Sequence, residues 1–210
     1  MTQYLTPKAS YPKPSRLSYA DDESRHDWLP ILLDIYFTTD QGVAAGIQRE
    51  AKKGRELACF KGCSACCRSH TTIPIFPIEI TGLYWYIIEK STGDIRERLK
   101  EQCRSFEKGN PCPFLIDGAC GVHPMRPQAC RQFNVFGTPC AEGEDAYYTR
   151  RQDVLTPIKK YKDDAMAKML PFHNITGRAQ RREAMKTGLL NNYVKVLQEV
   201  EWPKVAERMG

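Results

Sequence analysis

Apolar residues recur at helical spacing through most of this chain. Trp28, Leu32, Ile35, Tyr36, Val43 and Ile47 form a stripe running to about Lys53. Ser24, with Asp27 three residues on, marks its start, and Pro30 is tolerated because it falls in the first turn. Pro77 opens a second helix on Ile78, Leu83, Tyr84, Ile87 and Ile88. Gly93-Asp94 divides it from a third, charged helix that carries Cys103 and ends near Lys108. Two more helices are expected from Asp153 to Leu170 and from Thr176 to about Glu199. Thr176 is the N-cap of the latter, and Leu189, Leu190, Tyr193, Val196 and Leu197 are its apolar face. Strand signal is confined to short pieces such as Thr71 to Ile75.

Two stretches break the pattern. Residues 1–21 are rich in Pro, Ser and Tyr and read as an extended or disordered arm. Residues 109–143 carry turn signals (Gly109-Asn110-Pro111, Asp117-Gly118, Pro124, Pro127, Gly137-Thr138-Pro139) too closely spaced for long elements. A loop-rich stretch of that length inside a compact domain needs a ligand or a function to order it. The expected fold is mainly α: an irregular helical domain with a loop-rich, metal-organised cysteine segment. Its divisions are the arm at 1–21, a cysteine-cluster domain at 22–150, and a basic helical extension at 151–210 packed on that domain.

Composition narrows the classes. A chain of 210 residues, 41% hydrophobic and 27% charged, is long enough to bury a true core. Its longest apolar run, Leu83 to Ile88, falls far short of the roughly 20 residues of a membrane span. The first thirty residues hold no signal-peptide stretch, so a cytoplasmic protein without a membrane is expected. The net charge of +6 arises wholly from Arg150 to Gly210, where 13 Lys and Arg face 7 Asp and Glu. On the second of the two C-terminal helices Arg178, Arg181, Arg182 and Lys186 lie along one side. That face suits an acidic protein partner. With a pI of 8.8 it is too dilute for strong nucleic-acid binding.

The chemistry lies in the cysteines. All nine fall between Cys59 and Cys140, and eight of them group as Cys59-x3-Cys63-x2-Cys66-Cys67 followed by Cys112, Cys120, Cys130 and Cys140. In a reducing cytosol, thiols at this density are metal ligands or reactive groups more often than disulfides. Cys103 stands apart and reads as core packing. Neighbouring side chains such as those of Cys66 and Cys67 diverge in any regular backbone, so the pair serves two metals, or one ligand and one neighbouring position, more easily than one ion. The eight thiols suffice for two four-cysteine sites, whereas one Zn(Cys)4 site or one four-iron cluster takes four. With a single CxxC knuckle and later spacings of x7, x9 and x9, a loop-gathered iron–sulfur cluster is favoured slightly over zinc. His123 reads as a loop histidine. Arg126 and Arg131 either offset thiolate charge or pair with Glu79 or Asp117. Glu79 reads as a helix-dipole residue. No Ser/His/Asp set, carboxylate pair or dinucleotide fingerprint is present.

Cys63-Ser64-Ala65-Cys66-Cys67, Cys112-Pro113-Phe114-Leu115, Gly118-Ala119-Cys120, Arg126-Pro127 and Cys130-Arg131, in that order, resemble the YkgJ-type CxxCxxCC cysteine-cluster family of zinc- or iron-chelating or iron–sulfur proteins. The resemblance implies that Cys63, Cys66, Cys67, Cys112, Cys120 and Cys130 bind the metal or cluster. Cys59 departs from the family spacing and Cys140 lies beyond the core motif, so both are outlying members. The resemblance reaches flagellin lysine methylases, which makes redox or protein-modification chemistry one expectation, although no S-adenosylmethionine motif accompanies it. The alternative is a structural zinc module whose basic C-terminal helices bind a protein or nucleic acid.

Overall fold

The computed structural model describes residues 11–210, so the first ten residues of the expected arm lie outside it. Ten α-helices and only four two-residue strands make the described chain mainly α. Residues 11–19 form no regular element, but Arg16 pairs with Glu23 at 2.8 Å and with Asp34, and Leu17 and Tyr19 pack on the core.

Helix α1 (Ala20–Arg25) and helix α2 (Trp28–Lys52) meet at a break at His26 and Asp27, so Ser24 lies within α1 and Asp27 is the N-cap of α2. The α2 stripe is buried as its periodicity requires, with Leu29, Leu32 and Ile35 wholly enclosed. The far half of α2 carries Gly42 and Gly46 where helix α8 (Lys159–Met169) and its lead-in cross. A Cβ at Gly42 would stand 2.6 Å from Tyr161 Cβ, and one at Gly46 would stand 2.8 Å from Leu155 Cδ1. These glycines set how closely the C-terminal helix lies against α2.

Helix α3 (Ala65–Ser69) carries the Cys66–Cys67 pair. Strand β1 (Pro74–Ile75) leads to helix α4 (Pro77–Trp85), whose last turn widens to a π-turn at Tyr86–Lys90. Helix α5 (Gly93–Arg104) begins at the glycine expected to precede it and ends short of Lys108. On α5, Cys103 is fully buried, and that burial pushes its thiol up to about 12. Residues 109–143 contain a β2–β3 hairpin (Leu115–Ile116 with Ala119–Cys120), a 3-10 turn at His123–Met125 and the five-residue helix α6 (Gln128–Gln132). Helix α7 (Ala146–Thr149) follows.

The C-terminal part differs from the sequence pattern at two places. The helix expected from Asp153 begins only at Lys159. Val154 instead bridges antiparallel to Val135, and Pro157 keeps its predecessor out of helical geometry. The helix expected from Thr176 to Glu199 is α9 (Arg178–Thr187) alone, with Gly177 as N-cap, because Gly188 takes φ +66° and stops it. The intended apolar face then divides. Leu189–Tyr193 is a 3-10 turn and Lys195–Val196 is strand β4, which pairs with β1 through Pro74 and Val196. Helix α10 (Trp202–Glu207) closes the chain. Its Trp202 is wholly buried, 4.8 Å from the Phe114 ring between centroids, and donates from Nε1 to Leu197 O at 2.9 Å. One hydrophobic core thus runs from α2 through Phe114 to Met209. No helix of the described residues is long and apolar enough to cross a membrane.

Candidate metal centre

The candidate cysteines lie on separate segments, with Cys66 and Cys67 on α3, Cys120 on β3 and Cys130 on α6. Residues 56–59 lie antiparallel to residues 134–137, with Ala58 N donating to Val135 O at 2.8 Å and a bridge from Leu57 to Phe136. Residues 153–155 close the other side, since Phe136 N donates to Asp153 O and Leu155 N to Asn134 O, each at 2.8 Å. This small platform, outside the reach of sequence periodicity, holds Cys59. Helix α3 is tied on two sides. Cys112 N donates to Cys67 O at 2.8 Å, and Ser69 Oγ donates to Glu144 O at 3.0 Å. Gln198, buried near the C-terminus, donates to His70 O at 2.8 Å and accepts from Ile73 N at 3.1 Å.

Cys130 rides on α6, whose position is fixed by buried polar groups. Glu79 Oε1 accepts from Gln128 N at 2.7 Å, while its Oε2 accepts from Phe76 N at 3.0 Å. One carboxylate thereby satisfies donors at the N-termini of both α4 and α6. Burial lifts its carboxyl to about 7, against those two hydrogen bonds and the Arg131 charge. Thr39 Oγ1 donates to Gln128 Oε1 at 3.0 Å. Arg131 pairs with neither Glu79 nor Asp117. It reaches Asp40 at 2.6 Å, donates to Arg126 O and Pro124 O, and lies 4.0 Å from the centre of the Tyr36 ring. Asp117 is taken by Arg98. Both differences arise because α2 supplies an acid, Asp40, that only the tertiary fold brings to Arg131. His123 is exposed at the start of its 3-10 turn, as a loop histidine should be.

All nine cysteines are free. Their thiols act on one another. The Cys66 thiol is raised first by its hydrogen bond with Cys67 and then by burial. Burial pushes Cys59 up to about 11, with Cys63, Cys66 and Cys140 adding to it. Cys112 is raised by burial and then by Cys130, Cys120 and Cys66, offset by a backbone hydrogen bond from Phe114. Cys130 is raised by burial, Cys66 and Cys120, with Arg126 opposing. Cys66 is the neighbour that all of these share. Among the described residues no group of three or more His, Cys, Asp or Glu stands ready to hold a metal ion. Cys59 Sγ accepts a hydrogen bond from Val135 N at 3.3 Å, and Cys140 Sγ accepts one from Arg150 Nη2 at 3.7 Å.

Residues 58–168, more than half of the chain, match the family model CxxCxxCC, "Putative zinc- or iron-chelating domain". The chain belongs to the CxxCxxCC family. Its domain ends inside α8, so the CxxCxxCC match takes in the platform strand at 153–155 and the helix packed on Gly42. Comparisons with curated proteins and with solved structures give no match.

Proposed function

We propose that this protein binds a soft metal through Cys63, Cys66, Cys67, Cys112, Cys120 and Cys130, with Cys59 and Cys140 as outlying donors, and that the group held is an iron–sulfur cluster in preference to zinc. The observation that carries the reading is the match of residues 58–168 to the zinc- or iron-chelating CxxCxxCC domain, and it is supported by thiols from separate segments that are each raised in part by Cys66. The donor chemistry fits: sulfur throughout, with the arginines Arg126 and Arg150 acting on it. Loading with metal replaces thiol protons, so binding energy becomes folding energy for the short pieces of 109–143.

An iron–sulfur cluster would supply one-electron transfer, and zinc would supply a cross-link without redox chemistry. The chain's own residues orient the ligands: Glu79 holds α6, Gln198 holds the segment after α3, and Val135 N–H holds Cys59. A cytoplasmic, reducing setting suits nine free thiols. Arg178, Arg182 and Lys186 stay exposed on α9 and suit an acidic protein partner, in redox or protein-modification chemistry; nucleic acid is disfavoured. The test is anaerobic purification with iron, zinc and sulfide analysis. Visible absorption with matching iron and sulfide supports the cluster, colourless protein with zinc supports the structural alternative, and protein free of both defeats the reading.

A further inference from the structure

We propose that the groove bounded by Trp28, helix α4 and the end of helix α10 binds a small zwitterion, an α-amino acid with a large apolar side chain. None of the residues lining it is a cysteine, so the inference stands apart from the metal-binding reading.

The groove encloses about 280 Å3 and is walled mostly by apolar side chains. Trp28 is the first residue of α2, and Ile80, Tyr84 and Trp85 come from α4. Ile80 and Tyr84 lie one above the other at i and i+4. Ile88 follows from the π-turn at Tyr86–Lys90, a rare geometry that recurs at functional sites. The Trp28 and Trp85 rings stand 6.1 Å apart at 77°, so the indoles meet as a corner rather than as a stacking slot. Such a corner receives a compact phenyl or branched alkyl group and offers no parallel pair of faces to a fused heterocycle. The volume agrees, since it lies just under the roughly 300–1,000 Å3 of small-molecule sites.

Polar groups specify the rest of the ligand. Glu89 and Arg208 line the groove with opposite charges, and neither is ion-paired among the described residues. Neighbouring charges are already matched: Asp22 takes Arg25 and Lys90, and Glu201 takes Lys204 at 2.7 Å. Arg208 acts on the Tyr84 hydroxyl, which ties its charge to the groove wall. Trp85 is 4% exposed, and its Nε1 donor has no acceptor. Trp202, the other buried indole, donates to Leu197 O at 2.9 Å, as buried donors ordinarily do. A carboxylate pairs with Arg208 and brings oxygen acceptors to this corner. An ammonium pairs with Glu89, and an apolar side chain fills the angle between Trp28 and Trp85. A plain cation would leave Arg208 unmatched beside it, and a plain anion would leave Glu89 so.

The test is titration of the full-length protein with L-phenylalanine, 3-phenylpropionate and phenethylamine, which carry both charges, the carboxylate alone and the ammonium alone. Binding is read by quenching of tryptophan fluorescence and by calorimetry. L-phenylalanine should saturate at a single equivalent and bind about fivefold tighter than either analogue. Glu89→Gln should weaken L-phenylalanine and phenethylamine about fivefold and leave 3-phenylpropionate unchanged. Arg208→Gln should weaken L-phenylalanine and 3-phenylpropionate to the same degree and leave phenethylamine unchanged. Both side chains are exposed, so neither substitution threatens the fold. No saturable binding of L-phenylalanine by about 10 mM overturns the proposal. So does an affinity no better than that of the analogues, or L-phenylalanine binding that either variant leaves intact.

Discussion

Replacing Glu79 with Gln tests whether one buried carboxyl holds the helix that carries Cys130. Glu79 is fully buried and accepts from Phe76 N and Gln128 N through different oxygens. Its carboxyl titrates near 7 in the folded protein and near 4.5 when unfolded. Between those values the folded state holds the extra proton. Stability from this group is therefore fully present below pH 4.5 and is lost as pH climbs through 7. Full ionisation of the buried group costs about 3 kcal/mol, and roughly 2 kcal/mol of that falls between pH 5 and pH 7.5. An amide does not titrate, but it turns one acceptor into a donor and leaves one backbone N–H unpaired, at about 1–3 kcal/mol. At pH 5 the variant should thus be less stable than wild type, and by pH 7.5 the gap should shrink by about 2 kcal/mol. Urea unfolding of both proteins in the same metal state at the two pH values measures it, and the difference between differences cancels other titrating groups. Parallel pH dependence in both proteins would refute the assignment.

Other substitutions probe separate parts of the account. Cys66→Ser and Cys130→Ser should lose metal and solubility together while Cys103→Ser, in plain core, loses neither; metal analysis and sedimentation of all three decide it. Removing the Arg131 guanidinium with Arg131→Met should destabilise the protein by about 3 kcal/mol, since Asp40 and two carbonyls lose their partner, and a change below about 0.5 kcal/mol in urea unfolding argues against it. Gly42→Ala should cost about 1–2 kcal/mol despite alanine's helix preference, because its Cβ meets Tyr161 at 2.6 Å; a raised Tm would contradict that packing. Changing Arg178, Arg181 and Arg182 to Ala should leave only weak DNA binding in either form, gone by 0.2 M salt in a filter-binding assay.

What the sequence revealed followed the range of each signal. The α2 stripe, the Pro77 helix start and the buried Cys103 are local patterns, and all three stand in the fold. The helix boundaries that failed were decided by distant partners. Val154 left its helix to pair with Val135, and Val196 left its helix to pair with Pro74. Gly188 was visible as a residue, but an isolated glycine breaks a helix only when the following chain has somewhere better to go, here the edge of β1. The family was legible in the spacing of the thiols, since sulfur chemistry is carried by the residue type. The groups that position them were not. Glu79, Gln198, Val135 and Asp40 act across 49 to 128 positions of sequence, and no local pattern marks them.

The most direct test is the metal content per chain of anaerobically purified wild type, C66S/C67S and C103S proteins, measured by elemental analysis alongside sulfide. Wild type and C103S should carry the same bound metal, and C66S/C67S, which removes two of the proposed ligands, should carry almost none. Metal retained by C66S/C67S at the wild-type level, or lost equally by C103S, would contradict a centre built around that pair.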